Sequence, residues 1–478
     1  MSFLTLKFSL FLSVAVLVFH ELPPRMRSRF LLAVSCLFYM SWSVPYAFLI
    51  GGIAVAAYAS ALEIEDRPGA GKRTFWMTGV AILLMVFLFF KILPFLPSGG
   101  PSTLLMPLGL SYVTLKLIGY LTDVHRQGIK AERSFVSLAN YAAFFPQIPC
   151  GPIQRAADFL PQLAEVGRVR QETLLSGLRL ILFGLFKKMV VADAIGSHVD
   201  VMYSQLGIEV GARYFLCVYA YAFQLYADFS GITDMAVGIG RLFGIKAPDN
   251  FNRPFYSPNI LEFWRRWHIT LTSWFSDYLL VPMKSRLTGL GTPGLCLSIF
   301  VTMTAMGLWH GFHWNFLIFG ALQGIFMVVS ILTLSARDRL FIRAPLLNKC
   351  RKFIGTVITF HLVALSLVFI RVGTVSEAWT VIQNYLFSIH TLSDIRSLDD
   401  AMWLVFDYGF GLGRIPFLTL CTAVFVMEIG HWVRTSESRR RQFFSMPRWL
   451  QWCAYYSLIL MIFLMGDSGA TRFIYDRF

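Results

Sequence analysis

The sequence predicts an all-α integral membrane protein, and its composition and the spacing of its apolar residues are the basis. Of its 478 residues, 56% are hydrophobic and only 14% are charged, and the mean hydropathy is +0.61. A soluble domain averages about 25% charged residues. The apolar residues collect in continuous runs of roughly 16 to 23, long enough to cross a hydrocarbon core of about 30 Å. Because the runs do not alternate, helices rather than barrel strands are expected.

The apolar runs predict roughly 10 to 12 membrane segments in one polytopic domain over residues 1–478. They lie near residues 3–20, 30–62, 75–97, 104–121, 135–149, 173–195, 212–240, 294–334, 353–370, 415–433 and 449–466. The stretch 30–62 contains Pro45 and is too long for one perpendicular span, so we expect a break there. The stretch 294–334 fits two spans. Its glycines are available for bends or close helix packing: Gly307, Gly311, Gly320 and Gly324.

The charge balance is basic, with 42 Lys and Arg against 27 Asp and Glu. In a membrane protein this surplus is typical of cytoplasmic loops, and no basic stretch is interleaved with aromatics as in a nucleic-acid site. Two basic segments, within 337–352 and 434–448, are therefore predicted to be cytoplasmic. The acidic segment 372–414 between them is predicted to lie outside, with one span on each side. The seven cysteines have no paired spacing and are predicted to be small core residues.

Polar and ionisable residues enter the apolar pattern between residues 219 and 314, where each is costly unless it is paired or functional. They form three clusters, Tyr226 to Asp234, Asn250 to His268, and Gly307 to Asn315. In the second cluster, Trp264 and His268 share a helix face at i, i+4. An interfacial amphipathic helix, with arginines reaching lipid phosphates, is an equally open interpretation of that cluster.

His310 lies in the middle of an apolar run. It could be a structural hydrogen-bond donor, or a general base, because burial favours the neutral imidazole that accepts a proton. His310 and His313 could together bind a metal, but no third ligand follows at a suitable spacing, so no metal is predicted. Serine hydrolase, P-loop and dinucleotide-binding motifs are absent from the sequence.

The ordered motifs over roughly residues 104–325 resemble the membrane-bound O-acyltransferase family, in its bacterial polysaccharide branch. The motifs are Met106 to Tyr112 with Asp123, Phe144 to Gln147, Gly151 to Arg155, Gly184 to Lys188 with Asp193, Asp228 to Gly231, Asn250 to Pro254, Glu262 to His268, Gly307 to Gly311, and the terminal Phe473 to Tyr475. The sequence departs from the family pattern at Pro282 to Arg286, at His313 and in its charged ending. Acceptor or partner contacts are expected to differ at the first two of these places.

The resemblance implies a bundle of helices around a funnel or tunnel, where an acyl donor meets an acceptor near the bilayer midplane. It assigns the invariant family histidine to His310, as general base, and the second motif position to His268. The remaining candidate residues would bind or enclose the substrates: Arg155, Asp228, Asn252, Trp264, Arg265, Arg266, Trp267 and Trp309. No permanently bound cofactor is implied. The donor would be acetyl-CoA or another acyl thioester.

The expected activity is O-acetyl transfer towards an exopolysaccharide, such as alginate or cellulose, in the bacterial inner (cytoplasmic) membrane. The resemblance also implies a partner protein, a periplasmic or membrane-anchored acetyl-transfer protein of a polysaccharide-modifying complex. Membrane lipid is the other expected partner. Three alternatives stay open: D-alanyl transfer to a cell-wall polymer, a catalytically silent scaffold, and a transporter or flippase. In the transporter, Asp193, Asp228 and Asp234 would be proton or ion sites.

Overall fold

The computed structural model describes residues 2–93, 106–165, 169–204, 212–391, 397 and 414–466. All regular secondary structure in these ranges is helical, which confirms the predicted all-α class. The chain forms two compact units, residues 1–184 with 232–249, and residues 185–231 with 250–478. The single domain over 1–478 stays a prediction. The arrangement of helices around a funnel or tunnel also stays a prediction.

The first unit contains the N-terminal helices and the end of α10. Its helices are α1 Leu6–Glu21, α2 Pro24–Met40, α3 Val44–Asp66, α4 Gly69–Ile92, α5 Leu110–His125, α6 Phe135–Ala143, α7 Ala156–Ala164, α8 Gln171–Leu185 and the last residues of α10 Ala212–Leu242. Within this unit, α3, α4 and α5 pack against one another, and α6 packs against α2, α3 and α7. Buried phenylalanines and tyrosines fill the spaces between these helices.

The predicted break in the stretch 30–62 is confirmed, and its cause is Pro45. Helix α2 ends at Met40, and α3 begins at Val44 with Pro45 in its first turn. Proline is tolerated there because the first backbone N–H groups of a helix have no intrahelical acceptor.

The prediction of a spanning segment over 135–149 is wrong. Helix α6 has nine residues, about 14 Å, and a 3-10 turn containing Pro146 follows it.

The second unit contains the start of α10 and everything after residue 249. Its further helices are α9 Asp193–Ser204, α11 Ile260–Trp264, α12 Ile269–Phe275, α13 Val281–Arg286, α14 Gly291–His310, α15 Trp314–Leu332, α16 Leu334–Arg343, α17 Pro345–Arg371, α18 Val375–Thr391, α19 Arg414–Arg434, α20 Glu437–Ser445 and α21 Arg448–Met465. Two π-helical segments, Phe186–Ala192 and Ser276–Leu280, precede α9 and α13.

The predicted division of 294–334 into two helices is confirmed, and glycines allow α14 and α15 to approach closely. A Cβ added to Gly307 would lie 2.4 Å from the Phe316 carbonyl oxygen and 2.8 Å from the Gly320 Cα. A Cβ added to Gly324 would lie 3.1 Å from the Phe300 Cα. Small residues commonly permit such backbone contacts between membrane helices.

Seven helices in the described ranges are long and apolar enough to cross a membrane, so the chain is a multi-pass membrane protein. These candidate spans are Val44–Asp66, Gly69–Ile92, Thr288–His310, Trp314–Leu332, Leu346–Arg371, Phe417–Arg434 and Arg448–Met465. Helices α1, α2 and α5 have 16 or 17 residues, about 24 to 26 Å, which is less than the hydrocarbon thickness. The full count of 10 to 12 stays a prediction.

One candidate span lies on each side of the predicted outer segment 372–414, as expected for a loop that lies outside between two cytoplasmic segments. Most of its acidic residues fall outside the described residues, namely Asp394, Asp399, Asp400 and Asp407. The terminal motif Phe473 to Tyr475 also falls outside them.

Candidate functional site

His268 lies in a tight turn between α11 and α12, in the second unit. Its backbone has φ +43° and ψ +53°, the left-handed conformation that few residues other than glycine adopt. Its side chain is buried, with 1% of its surface exposed. Backbone strain of this kind persists only where the surrounding structure imposes it, and it is concentrated at functional sites.

Asn250 supplies the hydrogen bonds that impose this turn. Its backbone carbonyl accepts from the Ile269 N–H at 2.9 Å. Its side-chain Oδ1 accepts from the Thr270 N–H at 3.2 Å and from the Thr270 hydroxyl at 2.6 Å. The Asn252 N–H donates to the Arg266 carbonyl oxygen at 2.9 Å. The loop 250–252 therefore holds the His268 turn from both ends.

The two tryptophans beside His268 are anchored inside the unit. The Trp264 Nε1–H donates to Gln323 Oε1 on α15 at 3.1 Å, and the Gln323 amide donates to the Ser366 hydroxyl on α17 at 2.6 Å. The Trp267 ring stacks on Phe263, with centroids 5.6 Å apart. Both indoles are buried and α11 has only five residues, so this segment differs from an interfacial amphipathic helix.

The two arginines of the motif have different surroundings. The Arg265 side chain is 79% exposed and lies 3.9 Å from Glu262. The Arg266 guanidinium is only 29% exposed and forms a salt bridge with Glu262 at 2.8 Å. Arg265 is therefore the more accessible cation of the pair.

His310 is the last residue of α14. The chain leaves the helix at Gly311, where an added Cβ would lie 2.5 Å from two ring atoms of Phe316. The His310 ring stacks against Phe316 with centroids 6.4 Å apart, and the side chain is buried. The close α14–α15 pair therefore fixes where the imidazole lies.

Trp309 contacts both predicted catalytic histidines. Its ring centroid is 6.4 Å from that of His268, edge to face, and 4.8 Å from that of His310. Phe229, from the Asp228 motif on α10, covers His268 with centroids 4.7 Å apart. The structure therefore brings His268, Trp309 and His310 together among buried aromatic rings.

Asp228 is part of a buried ion cluster in the same unit. The Lys188 ammonium, in the π-helical segment Phe186–Ala192, lies 2.7 Å from Asp193 Oδ1 and 3.0 Å from Asp228 Oδ1. All three side chains are at most 3% exposed. Buried charges are tolerated when they are paired in this way.

The remaining predicted residues either belong to the first unit or are exposed. Arg155 belongs to the first unit and precedes α7 directly. Asn252 is exposed. His313 is exposed at the start of α15, so it does not join His310 in a buried site. Within the described ranges, no group of three or more His, Cys, Asp or Glu side chains is arranged to hold a metal ion.

Sequence reasoning missed the residues that support this site, chiefly Asn250, Thr270 and Gln323. Asn250 begins one of the family motifs, but nothing in the sequence indicates that its backbone pairs with that of Ile269. Gln323 is an amide in the middle of an apolar helix and is fully buried. An isolated buried amide needs a partner, which is the signal that could have found it.

The family profile "MBOAT, membrane-bound O-acyltransferase family" matches residues 49–368, about two thirds of the chain. The protein belongs to the membrane-bound O-acyltransferase family. This range contains His268, Trp309 and His310, and it encloses the predicted motif core 104–325. The resemblance proposed from the sequence is confirmed, and the protein is an O-acyltransferase by family.

Several relatives of this O-acyltransferase are similar over most of their length. The peptidoglycan O-acetyltransferase of Helicobacter pylori is 31% identical, covering 78% of this chain and 76% of the relative. The probable alginate O-acetylase of Azotobacter vinelandii is 32% identical, covering 81% and 78%. The teichoic acid D-alanyltransferase of Streptococcus thermophilus is 27% identical, covering 72% and 84%.

Proposed function

We propose that this membrane O-acyltransferase moves an acetyl group from a cytoplasmic thioester, acetyl-CoA, towards an exopolysaccharide of the alginate or cellulose kind, in the bacterial inner membrane. The arrangement of His268 and His310 on the Trp309 ring carries this proposal. It places two imidazoles beside a buried aromatic surface, where a thioester and a hydroxyl can react away from bulk water.

In the proposed step, His310 accepts the proton of the attacking hydroxyl. The hydroxyl oxygen forms a bond to the thioester carbon, and the carbon–sulfur bond breaks. The proton then passes from His310 to the departing thiolate, so that the products are an acetyl ester and free CoA. A histidine base contributes about 10²- to 10⁴-fold in such a transfer.

His268 would donate a hydrogen bond to the thioester carbonyl as negative charge develops on its oxygen. Its tight turn and its burial support this role, because a donor held in place needs little reorganisation in the reaction. Trp264, Trp267 and Trp309 would shape the acyl path. Arg265, which is exposed, would contact donor phosphates, with Arg266, Asn252 and Arg155 as further candidate contacts.

The acetyl donor and polysaccharide acceptor are proposed from the relatives. Two similar proteins are O-acetyltransferases by name, of peptidoglycan and of alginate, at 31% and 32% identity. A D-alanyltransferase is 27% identical over a smaller share of this chain. A periplasmic or membrane-anchored protein would complete delivery to the sugar. The salt bridges of Asp193 and Asp228 to Lys188 favour this proposal over a transporter, since both carboxylates are already paired.

The test supplies acetyl-CoA, labelled in the acetyl group, to the inside or the outside face of oriented membrane vesicles that contain the full chain. The proposal predicts consumption only from the cytoplasmic face. Label should also enter the polysaccharide of cells that carry the gene, and not of a deletion strain. Consumption only from the periplasmic face would contradict the donor and its orientation. Transfer of D-alanine instead of acetyl would select the D-alanyl alternative.

A further inference from the structure

Arg253 connects the loop that holds His268 to a more distant helix of the second unit. Arg253 follows Asn252 directly and is itself in the left-handed conformation, with φ +47°. Its guanidinium lies over the Tyr256 ring at 4.0 Å, and its Nε lies 3.7 Å from Glu428 Oε2 on α19. The Arg253 and Glu428 side chains are 21% and 16% exposed, so this pair is largely shielded from water.

Glu428 is in turn held by His431, one turn further along α19. The carboxylate Oε1 lies 3.7 Å from His431 Nδ1. The other ring nitrogen, Nε2, lies 3.4 Å from the Lys187 ammonium, and Nδ1 lies 3.1 Å from the Tyr226 hydroxyl. Because an ammonium only donates, we assign the acceptor role of a neutral imidazole to Nε2 and its proton to Nδ1, which faces Glu428 and Tyr226. The imidazole is therefore oriented to support the carboxylate.

Lys187 and Tyr226 lie near Asp228, which belongs to the buried ion cluster of the second unit. Lys187 donates to the Ser230 hydroxyl at 3.0 Å, and Ser230 and Tyr226 flank Asp228 on α10. A continuous series of polar contacts thus runs from Lys187 through His431 and Glu428 to Arg253. Glu428 and His431 lie beyond residue 368, where the family match ends.

We propose that Glu428, oriented by His431, is a positioning residue that holds the His268 turn through Arg253. This inference rests on the proposed function of His268. If Glu428 is lost, Arg253 keeps a largely buried charge without its carboxylate, and the loop 250–253 is free to shift. Asn250 and Asn252 belong to this loop, so the backbone bonds that impose the His268 turn would shift with it.

The first experiment measures acetyl-CoA consumption by the purified full chain in lipid vesicles. Glu428→Gln should lower kcat about 10- to 100-fold, because small displacements of a reacting group have effects of this size. The KM for acetyl-CoA should stay within about twofold, since Glu428 does not hold the donor. Glu428→Asp, which keeps the charge, should retain more activity than Glu428→Gln. The control is Glu437→Gln, which removes the carboxylate of an exposed salt bridge on α20.

The second experiment follows His268 without any acyl donor. Diethyl pyrocarbonate modifies accessible neutral imidazoles, and mass spectrometry can quantify the product at His268. Buried His268 should react slowly in the wild type and in Glu437→Gln, and several-fold faster in Glu428→Gln or, if that variant does not fold, in Glu428→Asp.

The two experiments separate the inference from the proposed function. A wild type that consumes no acetyl-CoA, together with faster labelling of His268 in Glu428→Gln, would overturn the donor assignment and support the positioning role. An active wild type with unchanged kcat and unchanged labelling in Glu428→Gln would overturn the positioning role. A loss of activity with unchanged labelling of His268 would also overturn it.

Discussion

Trp309 packs edge to face against His268, with ring centroids 6.4 Å apart, although the two residues are 41 positions apart in the chain. Trp309 also precedes His310 and contacts its ring at 4.8 Å. One indole therefore connects the turn after α11 to the end of α14. Displacing either element would separate the two imidazoles.

The glycine contact between α14 and α15 should control the position of His310. Gly307→Ala places a methyl group 2.4 Å from the Phe316 carbonyl oxygen, so the helices must separate. Overpacking of this kind costs about 1 to 3 kcal/mol. We expect lower acyl transfer and a lower unfolding temperature in detergent. Gly289→Ala, with no atom within 4 Å of the added methyl, is the matched control. Equal behaviour of the two variants would show that the close packing is unimportant.

Asn250→Ala should remove the side-chain acceptor that holds the His268 turn. Thr270 then loses the bonds from its N–H and its hydroxyl, which together stabilise the turn by about 1 to 3 kcal/mol. Acyl transfer should fall about 10- to 100-fold at matched expression, because small displacements of a reacting group have effects of this size. Asn348→Ala, an exposed asparagine on α17, should have no effect. Full activity in Asn250→Ala would show that these hydrogen bonds are not needed to position His268.

Substitutions at His268 should separate its hydrogen bond from its backbone conformation. Asparagine and glycine both tolerate a positive φ, whereas leucine does not. His268→Asn should keep part of the activity, His268→Gly should fold without activity, and His268→Leu should be unstable. Polymer acetyl content at matched expression, with elution in detergent, measures both effects. Equal loss of activity in the Asn and Gly variants would mean that His268 acts as a base or a packing element.

The sequence allowed the helix class, the break at Pro45 and the pairing of α14 with α15 to be predicted, because proline and long apolar runs act locally. It also gave the candidates His268, Trp309 and His310. One local error followed from reading an apolar run as a continuous helix, since α6 stops before Pro146. The support from Asn250 and Glu428 was not predictable, because each acts through contacts across many residues that leave no periodic pattern.

Lys188→Met should destabilise the second unit more than any loss of an exposed ion pair. Asp193 and Asp228 would both lose the ammonium that lies within 3.0 Å of each, in a place where all three side chains are buried. Removing one partner of a buried pair costs about 3 to 5 kcal/mol. The control is Arg441→Met, whose salt bridge to Glu437 is exposed. Thermal unfolding in detergent compares them, and equal unfolding temperatures would contradict a structural role for Lys188.

The proposed function requires that His310 performs chemistry and does not serve only to hold the fold. It is tested most directly by acetyl transfer from labelled acetyl-CoA in membranes that carry His310→Ala, with elution in detergent as the measure of folding. We expect normal elution and a loss of transfer of at least about 100-fold, the contribution of a histidine base. Wild-type transfer by a normally eluting His310→Ala protein would contradict it.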